Sequence, residues 1–319
     1  MRISVNGSIS MMRDQKPGRF MGANRRQMDG FGVGMMILLC AVWGLHQVAI
    51  KIAAPDIAPI MQIALRSGIS AVLVAAVIGC GWGNFSLRDG TLRPGIIVGI
   101  LFASEFLCIA EGLRFTSASH MAVFLYTAPV FTALGLHFFL PAEKLRLHQW
   151  LGIAIAFGGI ATAFTGGTQF AGFSSRILWG DFLGVLAGAG WGATTVIIRC
   201  TNLSEAPPTK TLLYQLAAAF LLLLIYAVCS GQAATVSMTR IAWTSLLFQG
   251  LIITFASYLT WFWLLRRYLA SRLAVFSFMS PLFGVTFGVI LLHDSVDTYF
   301  AIGAIMVLTG ISIVSRPYP

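Results

Sequence analysis

The sequence predicts an all-α integral membrane protein of ten transmembrane helices, arranged as two inverted five-helix repeats. Three observations carry that prediction. Charged residues make up only 10% of the 319 residues, apolar residues fall into long unbroken runs, and an ordered set of residues in the first half recurs in the second. A soluble domain carries roughly 25% charged residues, so a water-soluble fold of this size would have too few charges to cover itself. A hydrophobic content of 57% and a mean hydropathy of +0.84 agree. In lipid the backbone must satisfy its own hydrogen bonds, which leaves helices or closed barrels. A barrel would show alternating segments of about ten residues, and the continuous runs here favour helices.

Residues 1–30 are polar, with Arg2, Arg13, Lys16, Arg19, Arg25 and Arg26 set among Gly, Ser, Asn and Gln. They read as a disordered basic cytoplasmic tail. The apolar core of a secretory signal would lie much earlier, and Met21 is an alternative start. Apolar spans follow at about 32–51, 58–80, 94–113, 120–140, 149–167, 179–199, 211–229, 243–265, 271–292 and 297–315. Each is near the roughly 20 residues that cross a bilayer. Trp82, Trp150, Trp179, Trp243 and Tyr268 stand near span ends, where amphipathic rings prefer the interface. A net charge of +10 would suggest nucleic acid in a soluble chain. Here the basic residues lie between apolar runs, so the lipid bilayer is the partner read and no nucleic acid is. With the N-terminus cytoplasmic, that side holds sixteen Lys and Arg and the opposite side four, Lys51, Arg114, Arg176 and Arg240, with Arg66 inside a span. The bias puts both termini of a multi-pass protein in the cytoplasm, in a bacterial-type cytoplasmic (inner) membrane, and supports an even number of spans.

The repeat is the most informative feature. Trp43-Gly44 is followed eight residues after the Trp by Lys51, and Trp191-Gly192 by Arg199 at the same spacing. Leu113-Arg114, Ala118-Ser119, Ala122-Val123-Phe124, Pro129 and Phe131 return as Leu265-Arg266, Ala270-Ser271, Ala274-Val275-Phe276, Pro281 and Phe283, at an offset of 152. Glu143, Gly152 and Gly159-Ile160 return as Asp294, Gly303 and Gly310-Ile311, at an offset of 151. The units are 31–167 and 178–316. Five spans per unit force the second to enter from the opposite side, so the repeats are expected to be inverted, with a substrate site at their interface as in secondary transporters.

The Trp-Gly pairs with their later basic residue, and the Thr116-Ser117-Ala118-Ser119 stretch leading to Pro129, Glu143 and a Gly-rich helix, resemble the EamA-domain family of the drug/metabolite transporter superfamily. The resemblance covers about residues 32–315. It implies a ten-helix fold with a central cavity lined by helices one, three, four, six, eight and nine, and gradient-driven export of metabolites, often amino acids. Asp294 replaces the glutamate seen at Glu143, and Glu105 and Glu111 lie outside the family pattern.

Several residues are candidates for the work. Pro129 and Pro281 lie near the centres of spans four and nine, where proline removes a helix hydrogen bond and frees the carbonyl four residues earlier, at Leu125 and Ser277. They read either as a polar lining or hinge of the transport site, or as structural kinks. Glu105 is about mid-span in span three. A carboxylate there is costly and marks a functional site by default, here a proton-coupling one, unless a fixed ion pair with Arg66 holds it. Glu111, three residues from Arg114, reads as a local surface pair. His46 and Gln47 follow the first Trp-Gly. Trp43, Tyr126, Trp191, Trp261 and Trp263 are candidate cavity walls or core, and Thr194, Thr195, Ser257 and Ser277 are small polar candidates or helix–helix hydrogen bonders. Gly184, Gly188 and Gly192 form a ridge on span six that lets helices approach closely.

Cys40, Cys80, Cys108, Cys200 and Cys229 lie in or beside apolar runs without paired spacing, and read as packing residues rather than disulfides or metal ligands. No Walker pattern is present, which weighs against an ATP-driven pump, and no cofactor or metal is expected. The expected partner is a small-molecule substrate, with protons as the candidate coupling ion, in a monomer or homodimer. The sequence reads as a secondary exporter of an amino-acid-like or amphipathic metabolite. A gradient-independent facilitator or an importer is the rival within transport. A membrane-embedded enzyme or receptor is the rival outside it, disfavoured by short loops and few titratable groups in the spans.

Overall fold

The computed structural model describes residues 28–82, 89–139, 145–169, 175–234, 236–268, 273, 276–277, 279–296 and 298–314. The basic tail to residue 27, Glu143 and Ser271, and the side chain of Trp82, lie outside them. The described residues are almost wholly helical and hold no sheet, only an isolated Ile57–Val236 bridge. The helices are α1 (Gly30–Ala53), α2 (Pro59–Val77), α3 (Leu92–Gly112), α4 (Ala118–Leu125), α5 (Ala128–Phe139), α6 (Leu147–Gln169), α7 (Ser175–Cys200), α8 (Pro208–Cys229), α9 (Arg240–Leu247), α10 (Tyr258–Arg267), α11 (Met279–Leu292) and α12 (Thr298–Val314). Between α9 and α10 the chain continues as a π-helix, Phe248–Ser257. Among the described residues seven helical stretches, one of them α4 with α5 and one α9 through the π-helix into α10, are long and apolar enough to cross a membrane, and Met279–Leu292 and Thr298–Gly310 are shorter apolar helices.

Local chemistry sets the helix ends. Asp29 caps α1 by accepting from the Gly32 amide at 2.8 Å, Ser117 caps α4 by accepting from His120 N at 3.1 Å, and Thr239 caps α9 by accepting from Ala242 N at 3.1 Å. Pro59 opens α2, where its missing N–H costs nothing. The break between α4 and α5 falls just before Pro129, which has no N–H to offer the Leu125 carbonyl. Thr127 Oγ1 instead donates to the Phe124 carbonyl at 2.7 Å and closes the turn.

The surface is inverted relative to a soluble protein. Ile96, Ile97 and Ile100 of α3 and Leu221, Leu222 and Ile225 of α8 point outward, while Gln62, Arg66, Glu105 and Gln249 are buried. Apolar side chains gain nothing by hiding when the surroundings are lipid, so polar groups and small residues hold the interior.

Helix neighbours pair in a pattern that is unchanged when each span is exchanged for its counterpart in the other half. α1 packs on α11 and α7 on α4 and α5. α3 packs on α7 and α8, and the α9–π–α10 span packs on α1 and α2. The pairs α2–α8, α4–α11 and α6–α12 map onto themselves. The α6–α12 seam is built from the repeated glycines. A Cβ on Gly152 would lie 2.7 Å from the Gly310 carbonyl oxygen, and one on Gly159 would lie 2.6 Å from that of Gly303. These two helices therefore run antiparallel, and residue i meets the counterpart of j while j meets the counterpart of i, as at a two-fold contact.

Among the described residues the carboxylate contacts between the halves gather at the two ends of the bundle, while uncharged ones such as Gln249–Gln62 (2.8 Å) and Ser70 to the Gly250 carbonyl (2.8 Å) join the halves between them. At one end Thr239 donates to Asp56, Gln232 to Glu111 (2.8 Å) and Ser119 to Asp294 (Oγ 2.9 Å, N 3.0 Å), while Asp181 meets Thr116 and His120 (2.9 Å). At the other, Tyr268 donates to Asp29 (2.7 Å), and Lys210 pairs with Asp89 (2.5 Å), which also accepts from Thr91 (2.6 Å). The hydrogen bonds from Lys210 and Thr91 hold the Asp89 carboxyl down at about 2, below its ordinary value of 3.8. A depressed carboxyl pKa stabilises the fold above its unfolded value, and that stability disappears as pH falls through the folded one. Two outcomes are expected. The contribution of Asp89 is complete at neutral pH and is lost between about pH 4 and 2. Asp89→Asn lowers the Tm at pH 7, because it takes the carboxylate from the buried ammonium of Lys210, and it lowers it less at pH 3. Thermal unfolding in detergent at the two pH values checks both.

Candidate functional site

The centre of the bundle holds a buried guanidinium. Arg66 of α2 is 0% exposed, its Nη1 lies 2.5 Å from His46 Nε2 of α1, and its Cζ sits 4.5 Å above the Phe106 ring of α3. The guanidinium is a donor at every nitrogen, so His46 Nε2 must accept. Glu105 of α3, 6% exposed, is near enough to interact with Arg66 by charge, and the Tyr258 phenol stands within hydrogen-bond reach of the guanidinium. Neither carboxylate oxygen of Glu105 makes a direct ion pair with Arg66. The fixed Arg66–Glu105 pair, one of the two readings open from the sequence, is therefore not what the structure contains: His46 occupies the guanidinium instead. Arg66 Nε is buried with no hydrogen-bond partner among the described residues.

Around this centre most of the predicted site residues converge, from both halves. Trp43 Nε1 donates to Ser257 Oγ at 2.9 Å and its ring meets Trp261 edge-on at 5.4 Å. Tyr126, at the α4–α5 break, meets Trp191 edge-on at 5.3 Å and lies within electrostatic reach of Glu105 and Tyr258. Gly190 of α7 stands beside Glu105, where a Cβ would be 3.5 Å from that of the glutamate. Gly188 lies against the turn, where a Cβ would be 2.9 Å from the Leu125 carbonyl oxygen freed by Pro129. Pro281, Ser277 and Gln47 are buried, Pro129 is half-buried, and Thr194 is buried with its Oγ1 unpartnered among the described residues.

Other candidates fall elsewhere. Trp263 is 42% exposed, with Arg267 stacked 5.1 Å over its ring, so it faces outward and walls no cavity. Thr195 donates to the Trp191 carbonyl at 3.1 Å within its own helix. Glu111 pairs with Arg114 at 2.7 Å, the local pair that its spacing predicts, and also takes Gln232. Sequence reasoning missed Phe102, Phe106 and Tyr258, which line the Arg66–Glu105 region; Phe102 lies 4.7 Å from Phe106 and 6.4 Å from Tyr258. The available signal was Arg66 itself, a charge inside a span. A cavity of about 480 Å³ between Gly90, Arg93, Pro94, Ile97, Ile197, Thr201 and Asn202 lies at the Asp89 end and shares no residue with the cluster. Among the described residues no group of His, Cys, Asp and Glu is arranged to hold a metal ion.

Two stretches of the chain, 30–165 and 178–316, match the EamA-like transporter family. The chain belongs to that family. Its relatives among known proteins include YoaV of Bacillus subtilis (strain 168), named an uncharacterized transporter, at 25% identity over 86% of this chain and 94% of its own. They also include the probable amino-acid metabolite efflux pumps of Escherichia coli (strain K12) and Salmonella typhimurium (strain LT2), each at 25% identity. The former alignment covers 88% of this chain and 93% of the pump, the latter 89% and 94%. A solved crystal structure aligns with a TM-score of 0.63 over 89% of this chain and 97% of its own, at 16% identity, and so shares the fold. This EamA-like protein is thus a multi-pass membrane transporter of the drug/metabolite type rather than an enzyme, and its partners are a small-molecule substrate and the lipid around it.

Proposed function

We propose that this EamA-like transporter is a secondary exporter of a small amino-acid-like or amphipathic metabolite, working by alternating access through ten spans in two inverted repeats, with both termini in the cytoplasm. The observation that carries the reading is the convergence of Trp43, His46, Glu105, Tyr126, Trp191 and Ser257 from both halves on one buried centre. A site at a repeat interface can be presented to either side by rocking one half against the other. The unchanged pairing of helices under exchange of the halves, and the antiparallel α6–α12 seam, support the inversion. Pro129 supplies a break at the depth of the site, Pro281 is its repeat counterpart, and the name shared by the two efflux pumps supports the direction. Glu105, buried and free of a direct ion pair, is the group that takes up and releases the coupling proton in antiport. His46, Gln47, Thr194 and Ser277 complete the polar lining.

The test is flux in liposomes containing only the purified protein, with radiolabelled amino acids and lipophilic cations, with and without a pH gradient. Protein-dependent movement of a panel compound, with accumulation on the acidic side, is the expected result. Movement that ignores the gradient would replace the antiporter with a facilitator, and no movement of any compound would remove this substrate class.

A further inference from the structure

A guanidinium sealed among helices keeps its charge at any pH a cell meets, and such a charge persists only when paired or solvated by something. Among the described residues no carboxylate makes an ion pair with Arg66: His46, an acceptor without charge at that nitrogen, holds Nη1, and the Phe106 face lies beneath. The buried Nε has no partner among the described residues. In arginine, Nε and the neighbouring amino nitrogen form the edge that grips a carboxylate with two parallel hydrogen bonds. Nε of that edge is left without an acceptor among the described residues, the Tyr258 phenol stands within hydrogen-bond reach of the guanidinium, and the cluster around it consists of Glu105 and the aromatic Phe102, Phe106 and Tyr258.

We infer that Arg66 is the anchor for the carboxylate of the transported molecule, and that it makes this transporter select carboxylate-bearing substrates over amines and lipophilic cations. The inference rests on the central cluster being the substrate site, and deepens that reading by naming the group recognised. His46 fixes the guanidinium through Nη1, so that the open edge keeps one orientation. The aromatic walls accept an apolar side chain and exclude water, which strengthens the charge-assisted bond. A site built to bond one polar group rejects an analogue that lacks it far more strongly than it sorts analogues by size, because its own polar groups are then left unpaired. A cation at this place meets a fixed like charge.

The experiment measures thermal unfolding of the purified full-length protein in detergent against leucine and phenylalanine, the methyl ester of each, and the deaminated acid of each. A ligand that binds only the folded state raises Tm, by an amount that grows with the logarithm of its concentration over its Kd. The free acids, with or without the amino group, are expected to raise Tm at concentrations at least about tenfold below those at which the esters do so, and Arg66→Lys is expected to raise the half-saturating concentration of the acids by about tenfold or more. Esters that stabilise as well as acids overturn the inference, as does an Arg66→Lys protein that binds acids like the native one. Should Arg66→Lys fail to fold, the comparison of acid with ester on the native protein still decides. Flux of an amine or cation in liposomes, with no acid stabilising, leaves the transporter standing without its anchor. If no compound moves and none stabilises, both readings fall.

Discussion

Glu105→Gln is expected to abolish proton-driven accumulation while leaving exchange of substrate across the membrane intact. Glutamine keeps the length and hydrogen-bonding shape of the side chain and removes only the ability to carry a proton. A gradient of one pH unit holds about 1.4 kcal/mol per proton, which lets a one-for-one antiporter concentrate its substrate about tenfold. The native protein should approach that ratio in liposomes with an acidic interior, and the variant should stop at equal concentrations. Counterflow, in which unlabelled substrate on one side drives labelled substrate to the other, should survive in both. A variant that still accumulates substrate on the gradient would assign the proton elsewhere. One that loses exchange as well would make Glu105 part of the structural support of Arg66. His46 is the next titratable group in contact with that arginine, and His46→Gln in the same assay separates the two.

Gly159→Leu should destabilise the fold more than any conservative change on the lipid-facing surface. The seam between α6 and α12 brings backbone against backbone, with the Gly303 carbonyl oxygen 2.6 Å from where the first side-chain carbon would be and Met306 Cβ at 2.8 Å. Overfilling a close-packed contact costs about 1–3 kcal/mol and the backbone must shift to relieve it. The expected result is a Tm several degrees lower in detergent, with the same effect from Gly310→Leu, its repeat counterpart, where a Cβ would meet the Gly152 carbonyl oxygen and the Ala156 backbone. Leu151→Ala on the exposed side of α6 is the control and should leave Tm nearly unchanged. Equal effects from seam and control would show that the helices do not meet there.

Much of this fold was legible because lipid imposes a simple rule: a helix must be apolar for about 20 residues. The all-helical apolar architecture, the two family-matching halves, the break before Pro129 and the Glu111–Arg114 pair all follow from local or periodic signals. Lateral order is another matter. The sequence offers Glu105 as the partner of Arg66 because both sit at similar depth, yet the face that α1 turns toward α2 puts His46 against the guanidinium. Nor could Trp261 be told from Trp263, since in lipid the outer face is as apolar as the interior and the amphipathic signal that sorts inside from outside in water is missing. The π-helix at Phe248–Ser257 left no trace either, because an apolar segment tolerates any helical repeat. Its effect is to bring Ser257 to Trp43 and Tyr258 to Arg66.

The polar contacts at the two ends have one more consequence. Asp56, Glu111, Asp181 and Asp294 tie the halves together at one end while Asp29 and Asp89 tie them at the other, so the molecule resembles an airlock with both doors bolted. Neither compartment reaches Arg66 in this conformation. In the alternating access proposed above, one set of bolts releases while the other holds, and the number and strength of the bonds at each end set the order in which the doors open.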